Sequence, residues 1–138
     1  MRLLLLKGGF PEPRLQIPVL VPTDWLPETE RSRAHDAHVT FYVDAGYEKI
    51  RTGIEYDGEH HDDPEQRRYD EIRRELLGRA QWQVHVVTTR QLTGHPKALL
   101  ETFADMYNAR SDDFVQLRSD WRAIFVDWHR QEFAAPPF

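Results

Sequence analysis

Residues 39–57 read VTFYVDAGYEKIRTGIEYD, a stretch in which two runs rich in β-branched and aromatic side chains flank a short polar segment. Residues 39–47 and 51–57 have the composition of β-strands, and residues 48–50 are few enough to form a tight turn between them. We therefore predict an antiparallel β-hairpin in this part of the chain.

The acidic residues of this hairpin are predicted to share one face. Side chains alternate along a strand, so Glu55 and Asp57 point the same way, and a register that pairs Asp44 with Glu55 adds a third carboxylate to that face. The same register places Gly46 and Gly53 beside the carboxylates and leaves apolar residues on the reverse face to pack against helices. The sequence thus predicts an open, negatively charged hollow.

Three converging carboxylates repel one another, and a hard divalent cation such as Mg²⁺ or Mn²⁺ relieves that repulsion most simply. The alternative is that Asp44, Glu55 and Asp57 are solvated side chains on the wet face of an antiparallel sheet. Spacing by itself leaves both interpretations open.

Two histidines, His60 and His61, follow the second strand immediately after Gly58. Gly58 tolerates a positive φ, so the chain can turn back there and bring an imidazole toward the carboxylates. An imidazole in that place suits metal ligation or proton transfer. For either histidine alone, exposure in a loop is the simpler account, and it is the pair beside the acidic residues that favours a functional role.

A helix is predicted next, because Asp63 is a good N-cap, Pro64 suits the first helical position and Gln66 has the spacing of a capping box. We expect this helix to end near Arg79. Its expected buried stripe, at offsets of three and four, consists of Tyr69, Ile72, Leu76 and Ala80.

The same helix carries Asp70 and four arginines that are candidates for DNA contact, Arg67, Arg68, Arg73 and Arg74. An ion pair on the helix surface, between Asp70 and the arginines three and four residues later, explains the acid adequately. The functional alternative is that the arginines form a basic wall for phosphates. We favour the surface pair for Asp70, and the role of the arginines stays open.

Weaker patterns cover the rest of the chain. We predict the last turn of a helix at residues 3–6, an edge strand at 15–21, a loop at 23–38, a strand at 82–88 and a helix from about residue 96. Residues 111–138 carry aromatic side chains at helical spacing, which predicts an amphipathic helical tail used for core or dimer contacts. The expected organisation is a core over residues 1–110 followed by this tail.

Composition narrows the classes of protein. The chain of 138 residues is long enough for one core and too short for two, and its lack of cysteine excludes disulfides and thiolate metal sites. The apolar run at the start of the chain is too short for a signal peptide or a membrane span. We therefore expect a cytoplasmic protein without a membrane partner. A net charge of −5 disfavours a polyanion partner, although acids neutralised by a cation can lie beside a basic groove.

Four short motifs occur in a fixed order along the chain: VD at 43–44, IEYDGEHH at 54–61, YDEIR at 69–73 and WQV at 82–84. This series resembles the very-short-patch-repair-like endonuclease domains of the PD-(D/E)XK superfamily, over about residues 10–108. The resemblance implies a restriction-endonuclease-like α/β core, in which helices flank a mixed central sheet with an antiparallel hairpin. It also implies Mg²⁺ or Mn²⁺ held by Asp44, Glu55 and a backbone carbonyl near Tyr56, with Asp57 and His61 assisting proton transfer.

The chain departs from the family pattern at two functional positions. Asp57 stands where the superfamily motif has lysine, and no acid precedes Glu12 where relatives carry a glutamate on the first helix, so we expect that helix to be truncated. The resulting prediction is a metal-dependent DNA endonuclease or nickase related to mismatch-repair endonucleases. The alternative is a catalytically impaired nuclease-fold domain that binds DNA or acts as a regulator in a defence or toxin–antitoxin system.

Overall fold

Four strands and five helices make up the described chain. The computed structural model describes residues 1–32, 34–57 and 63–118. The strands are β1 (Arg14–Pro22), β2 (His38–Tyr47), β3 (Thr52–Asp57) and β4 (Gln83–Thr88). The helices are α1 (Arg2–Gly8), α2 (Glu28–Arg31), α3 (Pro64–Arg79), α4 (Thr89–Gly94) and α5 (Pro96–Asn108), with short 3₁₀ turns at Thr23–Trp25 and Glu48–Ile50.

The strands form one mixed sheet in the order β1-β2-β3-β4. β2 is antiparallel to both β1 and β3, whereas β4 runs parallel to β3. A parallel pair needs a crossover, and α3 provides it. The predicted α/β class, with helices flanking a mixed sheet, is therefore confirmed, as is the position of the first predicted strand at the sheet edge, where Pro18 is tolerated.

The predicted hairpin register is confirmed where β2 and β3 pair. Gly46 lies opposite Gly53 and Ala45 lies opposite Ile54. Ala45 with Ile54 is the last described pair toward the acidic end, although β3 continues beside β4 as far as Asp57 and β2 continues beside β1 as far as His38. The two strands of the hairpin therefore separate at Asp44.

β2 also changes face at Asp44. Val43 and Ala45 are both buried and would share a face in a regular strand, yet they belong to different hydrophobic cores. On the neighbouring strand, Gln16 adopts a positive φ of 49°, and the pair it would form with Asp44 interrupts an otherwise continuous register. This distortion sets Asp44 at the junction between the cores.

The first core lies between the reverse face of β3 and β4 and helices α1 and α5, and its most buried members include Leu4, Leu5, Ile54, Val87, Leu100 and Phe103. The second core lies between β1, β2 and α3, and it includes Ile17, Val21, Phe41, Val43, Leu76 and Leu77. Helices thus cover both faces of the sheet, and α3 covers the face that carries Glu55.

The helix predictions are confirmed in position and partly wrong in detail. α3 begins after Asp63, whose side chain accepts the N–H of Glu65, and α1 is followed by its C-cap Gly9, which has a φ of 103°. Tyr69, however, is half exposed, with its ring edge-on to Phe41, and Leu77 is buried in its place. The buried side of α3 is therefore centred on Leu76 and Leu77.

Three other segments differ from expectation. The predicted loop at 23–38 contains a 3₁₀ turn and the short helix α2, and α4, which starts with a capping box between Thr88 and Gln91, was not predicted. Residues 111–118 of the predicted helical tail are not helical, and residues 119–138 lie outside the described residues. None of the described helices is long and apolar enough to cross a membrane.

The two hairpin glycines allow close packing of the backbones, and neither lines the cavity beside the three carboxylates, contrary to the place predicted for them. A Cβ on Gly46 would lie 2.5 Å from the carbonyl oxygen of Thr52 and 2.8 Å from the Cα of Gly53. A Cβ on Gly53 would lie 2.4 Å from Cγ1 of Val43. The backbones of β2 and β3 therefore approach each other at a distance that only glycine permits.

We predict that Gly46→Ala destabilises the fold by about 2 kcal/mol or more, because the added methyl group meets backbone atoms that cannot move aside. Gly78→Ala is the matched control, since nothing lies within 4 Å of a Cβ there, and it should stabilise α3 by roughly 0.5–1 kcal/mol. Urea denaturation of the two variants measures both effects. Equal free energies of unfolding would contradict this account of the hairpin.

Candidate active site between the sheet and helix α3

A cavity of about 520 Å³ opens between the sheet and α3, at the end of the hairpin where β2 and β3 separate. Its charged lining comes from the strands through Asp44, Glu55 and Asp57, and from α3 through Asp70, Arg73 and Arg74. Its apolar lining includes Leu77, Trp82, Val84 and Val86. The three carboxylates predicted to converge therefore line a single cavity.

Asp44 fills the gap between the separating strands. Its Oδ2 accepts the backbone N–H of Tyr56 at 3.0 Å, just beyond the last described backbone pair between β2 and β3. Asp44 is half-buried, and this bond fixes the position of one of its two carboxylate oxygens. A short acidic side chain is well suited to the position because it satisfies a strand N–H that lacks a neighbouring carbonyl.

Glu55 and Arg73 form a bidentate ion pair between the sheet and α3. Nη1 of Arg73 donates to Oε2 of Glu55 at 2.8 Å, and Nη2 donates to Oε1 and to the carbonyl oxygen of Tyr42. The side chain of Arg73 is 20% exposed and that of Glu55 is 13% exposed. The hydrogen bonds to Glu55 raise the pKa of Arg73, desolvation partly opposes them, and the nearby charge of Asp44 raises it further.

This ion pair corrects the surface-pair interpretation of the helix. Arg73 turns to Glu55 on the sheet, and Asp70 instead accepts a hydrogen bond from Nε2 of Gln66 at 3.0 Å. A planar guanidinium gains two bonds from a single carboxylate when the geometry is fork-to-fork. The attraction between these two charges is also screened less by solvent than that of an exposed pair along the helix.

The four candidate arginines have different positions. Arg73 and Arg74 line the cavity, whereas Arg67 and Arg68 do not, and Nη2 of Arg68 donates to the hydroxyl of Thr29 at 3.2 Å. The basic wall predicted beside the carboxylates thus consists, within the cavity, of two adjacent residues of α3.

Tyr56 and Asp57 continue β3 beyond the point of separation. Both line the cavity, and the hydroxyl of Tyr56 lies 2.6 Å from that of Thr89. His61, the candidate for proton transfer, lies outside the described residues. His85 cannot replace it, because it pairs with Ile54 and therefore faces the first core, and burial there lowers its pKa.

The donors in the cavity fit a hard divalent cation in their chemistry, since carboxylate oxygens are the ligands that Mg²⁺ and Mn²⁺ prefer. Their arrangement is that of an ion pair. Among the described residues, no group of three or more histidine, aspartate or glutamate side chains is placed to hold a metal ion. Both oxygens of Glu55 are bonded to Arg73, so a cation that binds Glu55 competes with the guanidinium for the same carboxylate charge.

We predict that Glu55 and Arg73 stabilise each other by about 2 kcal/mol in a double-mutant cycle, below the cost of breaking a fully buried pair because some exposure remains. The exposed pair of Arg14 and Glu48 is the matched control, and its coupling should be under about 1 kcal/mol. Urea denaturation of the alanine variants gives both values. Equal coupling in the two cycles would show that the cavity pair has no special strength.

Comparison with known proteins gave no match: no family model, no curated protein and no solved structure is significantly similar to this chain.

Proposed function

We propose that this chain is a restriction-endonuclease-like domain that hydrolyses DNA phosphodiester bonds with the help of Mg²⁺ or Mn²⁺. The observation that carries the proposal is the lining of one cavity by three strand carboxylates and two helix arginines. Hydrolysis of a phosphodiester needs groups that hold a cation and groups that bind an anionic substrate. Carboxylates can do the first and guanidinium groups the second, and both kinds line this cavity.

The order of elements supports the same proposal. An antiparallel hairpin, a crossover helix and a parallel strand succeed one another, and the acids lie at the end of the hairpin next to the start of the crossover. This is the arrangement that the resemblance of the sequence to very-short-patch-repair-like endonucleases implies. The polar motifs of that resemblance, which lie far apart in the sequence, contribute Asp44, Glu55, Asp57 and Arg73 to the one cavity.

Each group has a role that its position favours. Asp44 and Glu55 would hold the cation with a carbonyl of the Tyr56 region, and the bound cation supplies Lewis-acid stabilisation of the phosphate charge. Arg74 lines the cavity beside the acids and would bind a phosphate oxygen of the DNA backbone. Asp57 would accept a proton from the attacking water, in the place where the superfamily motif has lysine.

A second function is favoured by a specific observation, the pairing of Glu55 with Arg73. A carboxylate that is already neutralised by an internal cation needs no metal, and in that state the cavity presents Arg74 and a reduced negative charge to an anion. The corresponding protein is a nuclease-fold domain that binds DNA without cutting it. Band shifts on DNA without cleavage under either Mg²⁺ or Mn²⁺ would select this function.

We predict that the protein nicks supercoiled plasmid DNA in the presence of Mg²⁺ or Mn²⁺, and that Asp44→Asn lowers the rate by at least about a hundredfold, because several kcal/mol of charge stabilisation depend on the ligand. Asparagine keeps an oxygen for the N–H of Tyr56, so the strand junction is preserved. Gel electrophoresis of the relaxed and linear products measures the rate.

Asp105→Asn is the matched control, because it removes the same charge from the exposed side of α5, and it should nick at the wild-type rate. Activity that persists undiminished in Asp44→Asn, or that persists in excess chelator, would overturn the proposed function.

A further inference from the structure

The ion pair between Glu55 and Arg73 occupies the atoms that a cation would need. Both carboxylate oxygens of Glu55 accept hydrogen bonds from the guanidinium, and the pair lies within the cavity lining beside Asp44. The only other described acceptor of Arg73 is the carbonyl oxygen of Tyr42, on the neighbouring strand. Arg73 is therefore held on the sheet by three bonds, two of which end on a candidate metal ligand.

A guanidinium and a divalent cation compete for such a carboxylate. They carry charge of the same sign, and a low-dielectric cavity strengthens the repulsion between them. A cation that takes Glu55 as a ligand therefore weakens the ion pair between Glu55 and Arg73, and it favours release of the guanidinium. The backbone of Arg73 remains on α3 next to Arg74, so a released guanidinium is still within reach of the cavity.

We propose that Arg73 is an internal counter-ion that holds Glu55 until a divalent cation displaces it, and that the freed guanidinium then binds the substrate phosphate beside Arg74. This inference rests on the proposed function and adds to it the order of events and a positioning role for Arg73, which acts through Glu55 before the phosphate arrives.

The exchange couples cation binding to phosphate binding. While Arg73 is held by Glu55, it offers little to an anion, and once a cation has taken its place it is a free cation with a planar fork that suits phosphate oxygens. By linkage, a phosphate that captures Arg73 also favours cation binding at Glu55. The cavity therefore binds the two ligands together more readily than either alone.

The test measures Mn²⁺ binding in the absence of DNA, by the loss of the free-ion electron paramagnetic resonance signal. Arg73→Ala should bind Mn²⁺ about tenfold more tightly than the wild type, because the competing charge is gone. A residue with a merely structural role would not increase metal affinity when removed. Arg67→Ala is the matched control, since it removes the same charge from the same helix outside the cavity, and its affinity should equal that of the wild type.

Arg73→Lys guards against failure of the alanine variant to fold, which circular dichroism reports. Lysine keeps the charge but cannot bond both oxygens of Glu55 as a fork does, so its Mn²⁺ affinity should lie between those of the wild type and Arg73→Ala. Added Mn²⁺ should also raise the melting temperature of Arg73→Ala more than that of the wild type.

The outcomes separate this inference from the proposed function. Tighter Mn²⁺ binding by the folded Arg73 variants, with an unchanged control, supports the exchange. Equal binding by all four proteins overturns the exchange and leaves the metal site standing. An absence of Mn²⁺ binding in every protein overturns both the exchange and the metal-dependent function.

Discussion

The carboxylate of Asp44 accepts the N–H of Tyr56 at the point where β2 and β3 separate, and the rest of the candidate site depends on this contact. β2 stays with β1, β3 stays with β4, and a backbone N–H would otherwise lack a partner in the gap between them. The side chain of Asp44 supplies the acceptor for this N–H and also lines the cavity. Asp44 lies between Val43 of the second core and Ala45 of the first core, and its carboxylate lines the same cavity as Glu55 and Asp57.

Helix α3 supplies the opposite charge. It crosses over the acidic face of β3 to connect two parallel strands, so the side chains on its inner surface meet the carboxylates directly. Arg73 neutralises Glu55, and Arg74 faces the same cavity. The cavity therefore contains carboxylates for the proposed metal and guanidinium groups for the proposed phosphate, and such a local arrangement is compatible with a net charge of −5 over the whole chain.

Sequence patterns predicted the hairpin, its register, α3 and α5, because each rests on local signals such as alternation, an N-cap or apolar spacing. They did not predict the partner of Arg73. Asp70 is its neighbour in sequence, but the spacing of Arg73 from Leu76 and Leu77 places it on the buried side of the helix, and that spacing was the signal available. The separation of the strands at Asp44 could not be predicted, since it follows from how two cores pack and not from any local pattern.

We propose that this chain binds a divalent cation in the cavity beside Asp44. Paramagnetic broadening of ¹⁵N-labelled protein by sub-stoichiometric Mn²⁺ tests it most directly, because a second cavity lined by Asp112 and Asp113 offers acids elsewhere on the surface. We predict that the amide signals of Tyr56 and Val86 broaden first, while those near Asp112 remain sharp. Broadening that begins near Asp112, or that is uniform over the chain, would contradict it.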